Sequence, residues 1–240
     1  MNNFLSVDYR LRTSDFDCRQ KLQPASVLDF FQDVAGEHAD ILGIGRDAIL
    51  PQKLVWVVVR IRFRVLDTPK IYSRIKVSTW PLEPNRAVFR REYTIEDENG
   101  KECVVGSSEW VLMHIEKRRI VPTRDIMHIE DGYPARKLFE ENFPRLPDFT
   151  PDGEGLRIVP GFSEIDVNGH VNNTKYANFV LDAAGLSSGE AIDTFQIEYH
   201  REIKKNSAVT VFVRREGKEL LSKGVSDEGE KMFSCRIIFK

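Results

Sequence analysis

Asp166-Val167-Asn168-Gly169-His170-Val171-Asn172-Asn173 sets a carboxylate, a carboxamide and an imidazole at alternating positions, directly ahead of a segment with helical spacing. If the stretch is extended, side chains two apart share a face, so Asp166, Asn168 and His170 are expected to form one polar cluster. The apolar positions that follow, Tyr176, Ala177, Val180, Ala183 and Ala184, recur at helical spacing and stop at Gly185. The cluster therefore falls at a helix N-terminus. Backbone amides there, at Val171, Asn172 and Asn173, favour negative charge as it develops.

The stretch has a partner earlier in the chain. An ungapped shift of 149 positions lays Ser14, Asp17, Phe30, Asp33, Ala35 and Gly36 on Ser163, Asp166, Phe179, Asp182, Ala184 and Gly185. The polar entry, the helical stretch and the glycine stop recur in phase. At the chemistry-bearing positions the copies part: Arg19 stands where Asn168 is, and Lys21 where His170 is.

Outward from the two copies, the chain reads as one plan executed twice. A short strand at 4–12 leads to a helix opened by Gln23-Pro24 and closed by Gly43, with Val27, Leu28, Phe31, Val34, Ala35, Ile41 and Leu42 as its apolar stripe. Strands are expected at 54–65, 71–80, 87–96 and 102–115, with Asn99-Gly100 as a hairpin turn. The second helix is followed by strands at 194–203, 208–215, 219–225 and 231–239. Residues 131–155 carry Pro134, Pro144, Pro147 and Pro151 with weak periodicity, as a surface-packed linker does. One helix and four antiparallel strands, twice, make an α+β double hotdog, each sheet wrapped around its own helix. The expected modules are 1–130 and 158–240, the second holding the Asp166–His170 cluster, joined by 131–157. A lone module of this kind leaves apolar edges that call for a partner, so the duplication builds a dimer into one chain, with the active groove expected between the halves.

Composition bounds the rest. With 240 residues, 41% hydrophobic and 30% charged, the chain can bury a substantial core. A formal charge of −2 supplies no whole-protein field for nucleic acid or anionic membrane. Cys18, Cys103 and Cys235 are odd in number and spaced for neither a disulfide framework nor a zinc site, which fits a reducing compartment. Residues 1–12 lack the apolar core of a secretion signal, and no run of about 18 apolar residues marks a membrane span. The expected location is the cytoplasm, with no metal and no cofactor.

The run from Asp166 to Tyr176 resembles the signature of the acyl-acyl carrier protein thioesterases, which end fatty acid synthesis in plant plastids and have bacterial relatives. Leu54-Val55-Trp56-Val57-Val58, Ser78-Thr79-Trp80, Arg90-Arg91-Glu92-Tyr93 and Ser108-Glu109-Trp110-Val111 resemble motifs of that family's N-terminal half, in order. Glu198-Tyr199-His200-Arg201-Glu202-Ile203 resembles its second C-terminal motif. The resemblance implies a double hotdog that hydrolyses an acyl thioester on phosphopantetheine of acyl carrier protein, with the acyl tunnel in the N-terminal half. Carried over by position, it makes Asp166, Asn168, His170 and Glu202 the catalytic set. Two departures stand out. Ile203 occupies the place of a cysteine found in plant members, which excludes a cysteine nucleophile here, and His200 replaces a basic residue.

Hydrolysis needs an activated water or an attacking carboxylate, and a donor for the carbonyl oxygen. Glu202 and His170 are suited to activate water, Asn168 to position it and Asp166 to orient its neighbours. In the rival course Asp166 or Glu202 attacks and forms an anhydride. Structural roles compete with these: Asp166 capping a turn, Asn172 or Asn173 capping the helix, Glu202 an exposed strand-end charge. An acidic carrier calls for a local basic surface. Lys117, Arg118, Arg119 and Arg124 form one such cluster, and Arg60, Arg62 and Arg64 line one face of a strand. A solvated charged face is the commoner explanation for either. His38 is expected as a satisfied core histidine; His114 and His128 lack a partner pattern. Other readings are an acyl-coenzyme A thioesterase, a hotdog dehydratase, which the Asn-x-His-Val-Asn-Asn pattern argues against, and a non-enzymatic acyl-thioester-binding protein. Monomer and homodimer both remain open.

Overall fold

The computed structural model describes residues 3–122, 132–151 and 153–240. They form two compact units, one of the residues up to Ser14 with Asp29–Asn142, the other of Asp15–Leu28 with Phe143–Lys240.

The first unit is an antiparallel sheet of β1 (Leu5–Arg10), β2 (Leu54–Val65), β3 (Arg74–Pro81), β4 (Val88–Asp97) and β5 (Glu102–His114), in the order β1-β3-β4-β5-β2, with β6 (Arg119–Val121) on β5. Its helix, α1 (Pro24–Ile41), follows the expected stripe up to His38; Ile41 departs from it and is 47% exposed. Phe31 on α1 stacks on Tyr93 at 4.3 Å and meets Phe63 edge-on at 6.4 Å. The approach is close because Gly106 has no side chain: a Cβ there would lie 2.2 Å from the Phe31 ring. A short helix α2 (Arg46–Ile49) follows. The Asn99-Gly100 turn forms as expected, closed by the Gly100 N–H on the Asp97 carbonyl, with Gly100 at φ +78°. Trp80 Nε1 donates to the Arg136 carbonyl, Leu138 N–H to Glu92 and Arg62 to the Glu141 carbonyl, fastening residues 136–141 to the sheet.

The second unit is an antiparallel sheet of β7 (Leu156–Ile158), β8 (Ile192–Tyr199), β9 (Val209–Glu216), β10 (Glu219–Ser226) and β11 (Lys231–Phe239), in the order β8-β11-β10-β9-β7. Its helix α3 (Lys175–Ala184) ends on Gly185 at φ 56°, the left-handed stop that glycine adopts without penalty. Tyr176 packs edge-on against Tyr199 and Phe233, both at 5.3 Å, which locks the first turn of α3 to β8 and β11. The architecture is the α+β double hotdog that the repeated pattern implied.

Candidate active site

The stretch 166–170 is not extended. Asp166 N–H donates to the His170 carbonyl at 2.8 Å and Gly169 N–H to the Asp166 carbonyl at 3.0 Å, so the chain folds back on itself and Ile165 pairs with Val171. Asp166 Oδ1 accepts the N–H groups of Asn168 (2.8 Å) and His170 (3.4 Å), while Oδ2 accepts the Asn168 carboxamide at 3.2 Å. An aspartate that captures the amide two residues on, with a glycine at φ +83° to close the bend, outweighs the period-two pattern. Asp166 and Asn168 are joined, but by turn chemistry and not by a shared strand face.

The first copy confirms this. Asp17 N–H donates to the Lys21 carbonyl, Gln20 N–H to the Asp17 carbonyl, and Asp17 Oδ1 accepts the amides of Arg19 (2.9 Å) and Lys21 (3.0 Å). Phe16 pairs with Leu22, and Gln20 stands at φ 59° where the second copy has Gly169. Even the bond that leads into the helix recurs, Gln23 N–H on the Asp15 carbonyl matching Asn172 N–H on the Glu164 carbonyl. The sequence repeat is thus a repeat of hydrogen bonds. In the first copy the Asp17 carboxylate is tied up by the Arg19 guanidinium.

Glu202 lies beyond the end of β8, which stops at Tyr199 rather than continuing to 203, because the N–H groups of His200 and Arg201 both turn to the Met232 carbonyl. The neighbours of Glu202 are pinned: Ile203 N–H donates to the Tyr176 hydroxyl at 3.0 Å, the Ile203 carbonyl accepts Val171 N–H at 2.8 Å, and Lys204 forms a β-bridge with His170. The loop so held brings Glu202 Oε2 to 3.3 Å from His170 Nε2, with the two side chains 40% and 30% exposed, open to an incoming ligand. A proton on Nε2 would face the Glu202 carboxylate and leave Nδ1 as an acceptor.

At the helix entry the amides of Val171 and Asn172 are already spent, on the carbonyls of Ile203 and Glu164. Among the described residues the Asn173 N–H meets no acceptor, whereas its carbonyl accepts the Tyr199 hydroxyl at 2.9 Å. Asn172 makes a turn ahead of the cap residue Thr174, its Oδ1 accepting Thr174 N–H at 3.0 Å and its carbonyl accepting Lys175 N–H at 2.9 Å. Two tyrosines that the sequence reading did not single out therefore frame the cluster, Tyr176 behind Glu202 and Tyr199 behind Asn173. Burial pushes the Tyr176 phenol up to about 12, with Glu202 and Asp166 acting the same way against the Ile203 N–H, so it remains neutral. The signal for both was their place inside the quoted motifs, Tyr176 at the end of the first and Tyr199 within Glu198–Ile203.

Elsewhere, Lys117, Arg118 and Arg119 are exposed on the β5–β6 turn, where Lys117 N–H donates to His114 Nδ1 at 3.3 Å. Arg124 and His128 lie outside the described residues. The charged strand face expected of Arg60, Arg62 and Arg64 is interrupted. Arg62 is buried, its guanidinium lies 4.2 Å from the Phe139 ring centre, and desolvation holds it down at about 10. His38 is a buried core residue with Nδ1 2.8 Å from Arg91. Among the described residues, no three His, Cys, Asp or Glu side chains converge as a metal site.

Residues 2–129 match the model of the acyl-ACP thioesterase N-terminal domain and residues 151–240 that of the acyl-ACP thioesterase C-terminal domain, ACP being acyl carrier protein. The chain is 25% identical over 217 residues to the chloroplastic palmitoyl-acyl carrier protein thioesterase of Cuphea hookeriana, which covers 84% of this chain and 52% of that protein. It is 26% identical over 206 residues to the chloroplastic oleoyl-acyl carrier protein thioesterase of Coriandrum sativum, covering 77% and 55%. It thus spans about half the length of the curated relatives it matches. Among solved structures, an acyl-ACP thioesterase from Bacteroides thetaiotaomicron superposes with a TM-score of 0.88 at 20% identity over 100% of this chain and 98% of that one. The 12:0-ACP thioesterase from Umbellularia californica superposes with a TM-score of 0.85 at 22% identity over 99% and 97%. Both share the fold.

Proposed function

Because the chain belongs to the acyl-ACP thioesterase family, we propose that it hydrolyses the thioester between a medium- or long-chain acyl group and the phosphopantetheine of acyl carrier protein, releasing free fatty acid. The observation that carries the reading is the 3.3 Å contact of His170 with Glu202, beside the Asp166-Asn168 turn and at the entry to α3. In this mechanism Glu202 holds the Nε2 proton and Nδ1 of His170 takes a proton from water as it attacks the carbonyl carbon. Asn168, fixed by Asp166, positions that water. The Asn173 N–H receives the oxygen as it becomes negative; Val171 and Asn172 contribute by shaping the loop rather than by donating. The C–S bond then breaks, the thiolate leaves readily, and the imidazolium can return its proton to it. No cofactor enters the scheme.

In the course through an anhydride, Glu202 is the better placed carboxylate, since both oxygens of Asp166 are committed within its own turn. Single turnover in oxygen-18 water separates the two, label in the protein carboxylate marking the anhydride. The division of labour between an acyl pocket in 1–130 and catalysis in 158–240, a cytoplasmic location, and action as a monomer or homodimer complete the proposal. In the described residues no helix is long and apolar enough to cross a membrane. The test is hydrolysis of a ladder of acyl-ACP thioesters by wild type and His170→Ala. Turnover that depends on His170 supports the reading; wild type inert on every chain length refutes it.

A further inference from the structure

Resting on that functional reading, we propose that the carrier protein docks on the face made by Phe162, Val167, Lys204 and Lys205, around the rim of the catalytic loop. Phe162 and Val167 are the most exposed large apolar side chains among the described residues, at 82% and 84%. Val167 forms the tip of the turn that holds Asp166 and Asn168. Phe162 opens the short 3-10 turn that precedes it, and the last residue of that turn, Glu164, receives Asn172 N–H at the entry to α3. Isolated apolar side chains on a surface carry no message, but two of them flanking the reacting groups do.

The lysines belong to the same surface. Lys204 is bridged to His170, and Lys205 Nζ lies 5.4 Å from the Phe162 ring centre. Asn206 N–H donates to the Pro160 carbonyl at 3.1 Å, which zips the two loops together. Both lysines are exposed, and neither meets a carboxylate among the described residues. The acidic groups nearby are engaged: Glu164 accepts Gly161 N–H at 2.9 Å, and Glu202 faces His170. The result is an apolar spot flanked by two lysines that make no ion pair among the described residues, on loops held by backbone hydrogen bonds, so little order is lost on binding. Its complement is an acidic protein with a small apolar contact. A carrier seated there presents its pantetheine arm at the loops that carry His170 and Glu202.

The experiment compares kcat/KM on an acyl carrier protein thioester with kcat/KM on the matching acyl-pantetheine, for the full chain. In Lys204→Glu/Lys205→Glu the ratio is expected to fall at least about tenfold, through KM, and its dependence on salt to flatten. Phe162→Ser is expected to lower the ratio while keeping the wild-type salt dependence, because it removes no charge. An unchanged ratio in both variants, or a larger fall in Arg118→Glu/Arg119→Glu, overturns the docking face while leaving the thioesterase reading intact. Wild type inert on both substrates overturns the functional reading itself. Loss of a dimer in Phe162→Ser, with the ratio unchanged, assigns the face to a second copy of the chain and also overturns the proposal.

Discussion

His170 and Glu202 meet at 3.3 Å although they come from separate loops, one closed by an aspartate-centred turn and the other by two bonds from the strand end to Met232. Neither side chain is held there by its own element, so the contact depends on the hydrogen bonds that fasten the loops. His170→Ala and Glu202→Gln are each expected to lower kcat on the order of 10²–10⁴-fold. As partners in one proton transfer, they act as a unit, and the double variant should fall little further than the worse single one. Steady-state kinetics on all three variants checks this, and full additivity would speak against a shared role.

Tyr176→Phe isolates the fastening from the chemistry. The Ile203 amide loses its acceptor inside a buried site, a change that typically costs about 1–3 kcal/mol of stability. Glu202, with one of the fastenings on its C-terminal side gone and the Val171–Ile203 bond and the Lys204 bridge left, should also shift from His170, lowering kcat with KM held. Denaturant titration and kinetics read the two effects separately. A variant that loses stability but keeps kcat would show that the Ile203 bond does not orient Glu202.

Gly169→Ala meets no atom within 4 Å of its new methyl group, so its cost is that of the left-handed backbone alone, about 1–2 kcal/mol. The fold tolerates that cost at the equivalent position, where Gln20 stands at φ 59°. The variant is therefore expected to fold, with a lower denaturation midpoint and an unchanged denaturant slope. Failure to fold would mean that the second loop bears a constraint the first does not.

Thiol chemistry offers a check on burial. Desolvation raises the Cys103 thiol to about 11 and the Cys235 thiol well above its ordinary value, so at pH 8 almost no thiolate is present at either. Cys18 is exposed. One of the three cysteines should react with a chromogenic disulfide in the folded protein and all three after unfolding. Because no cysteine adjoins Glu202, blocking Cys18 is expected to leave turnover intact.

The strands at 54–65 and 231–239 were legible to the residue, since apolar patterning marks both and the Gly229 turn delimits the second. The three-residue strands β6 and β7 were not, being too short to show a period. β8 was overextended because the sequence does not announce that the His200 and Arg201 amides share one acceptor. In the candidate site the association of Asp166 with Asn168 was read from the right residues for the wrong geometric reason. Alternation suggests a strand, whereas Asp followed by Gly three positions later makes a turn. Glu202 came from resemblance alone, because its approach to His170 is set by contacts more than 25 residues apart, such as Ile203 N–H on the Tyr176 hydroxyl. The tyrosines went unnoticed since their hydroxyls serve backbone groups, and no side-chain pattern encodes that.

A loop that occurs twice on one hydrogen-bond skeleton carries its own calibration. Asp17 and Asp166 accept equivalent pairs of backbone amides, but Asp17 also holds the Arg19 guanidinium where Asp166 holds the Asn168 carboxamide, and only Asp166 has an imidazole beside it. The stability lost on adding Asp17→Ala to an Arg19→Asn background, which removes the ion pair that Asp166 lacks, therefore measures the mechanical worth of such an aspartate, and whatever Asp166→Ala loses in turnover beyond the matching structural deficit is the share owed to chemistry. Few candidate sites come with a blank built from the same chain.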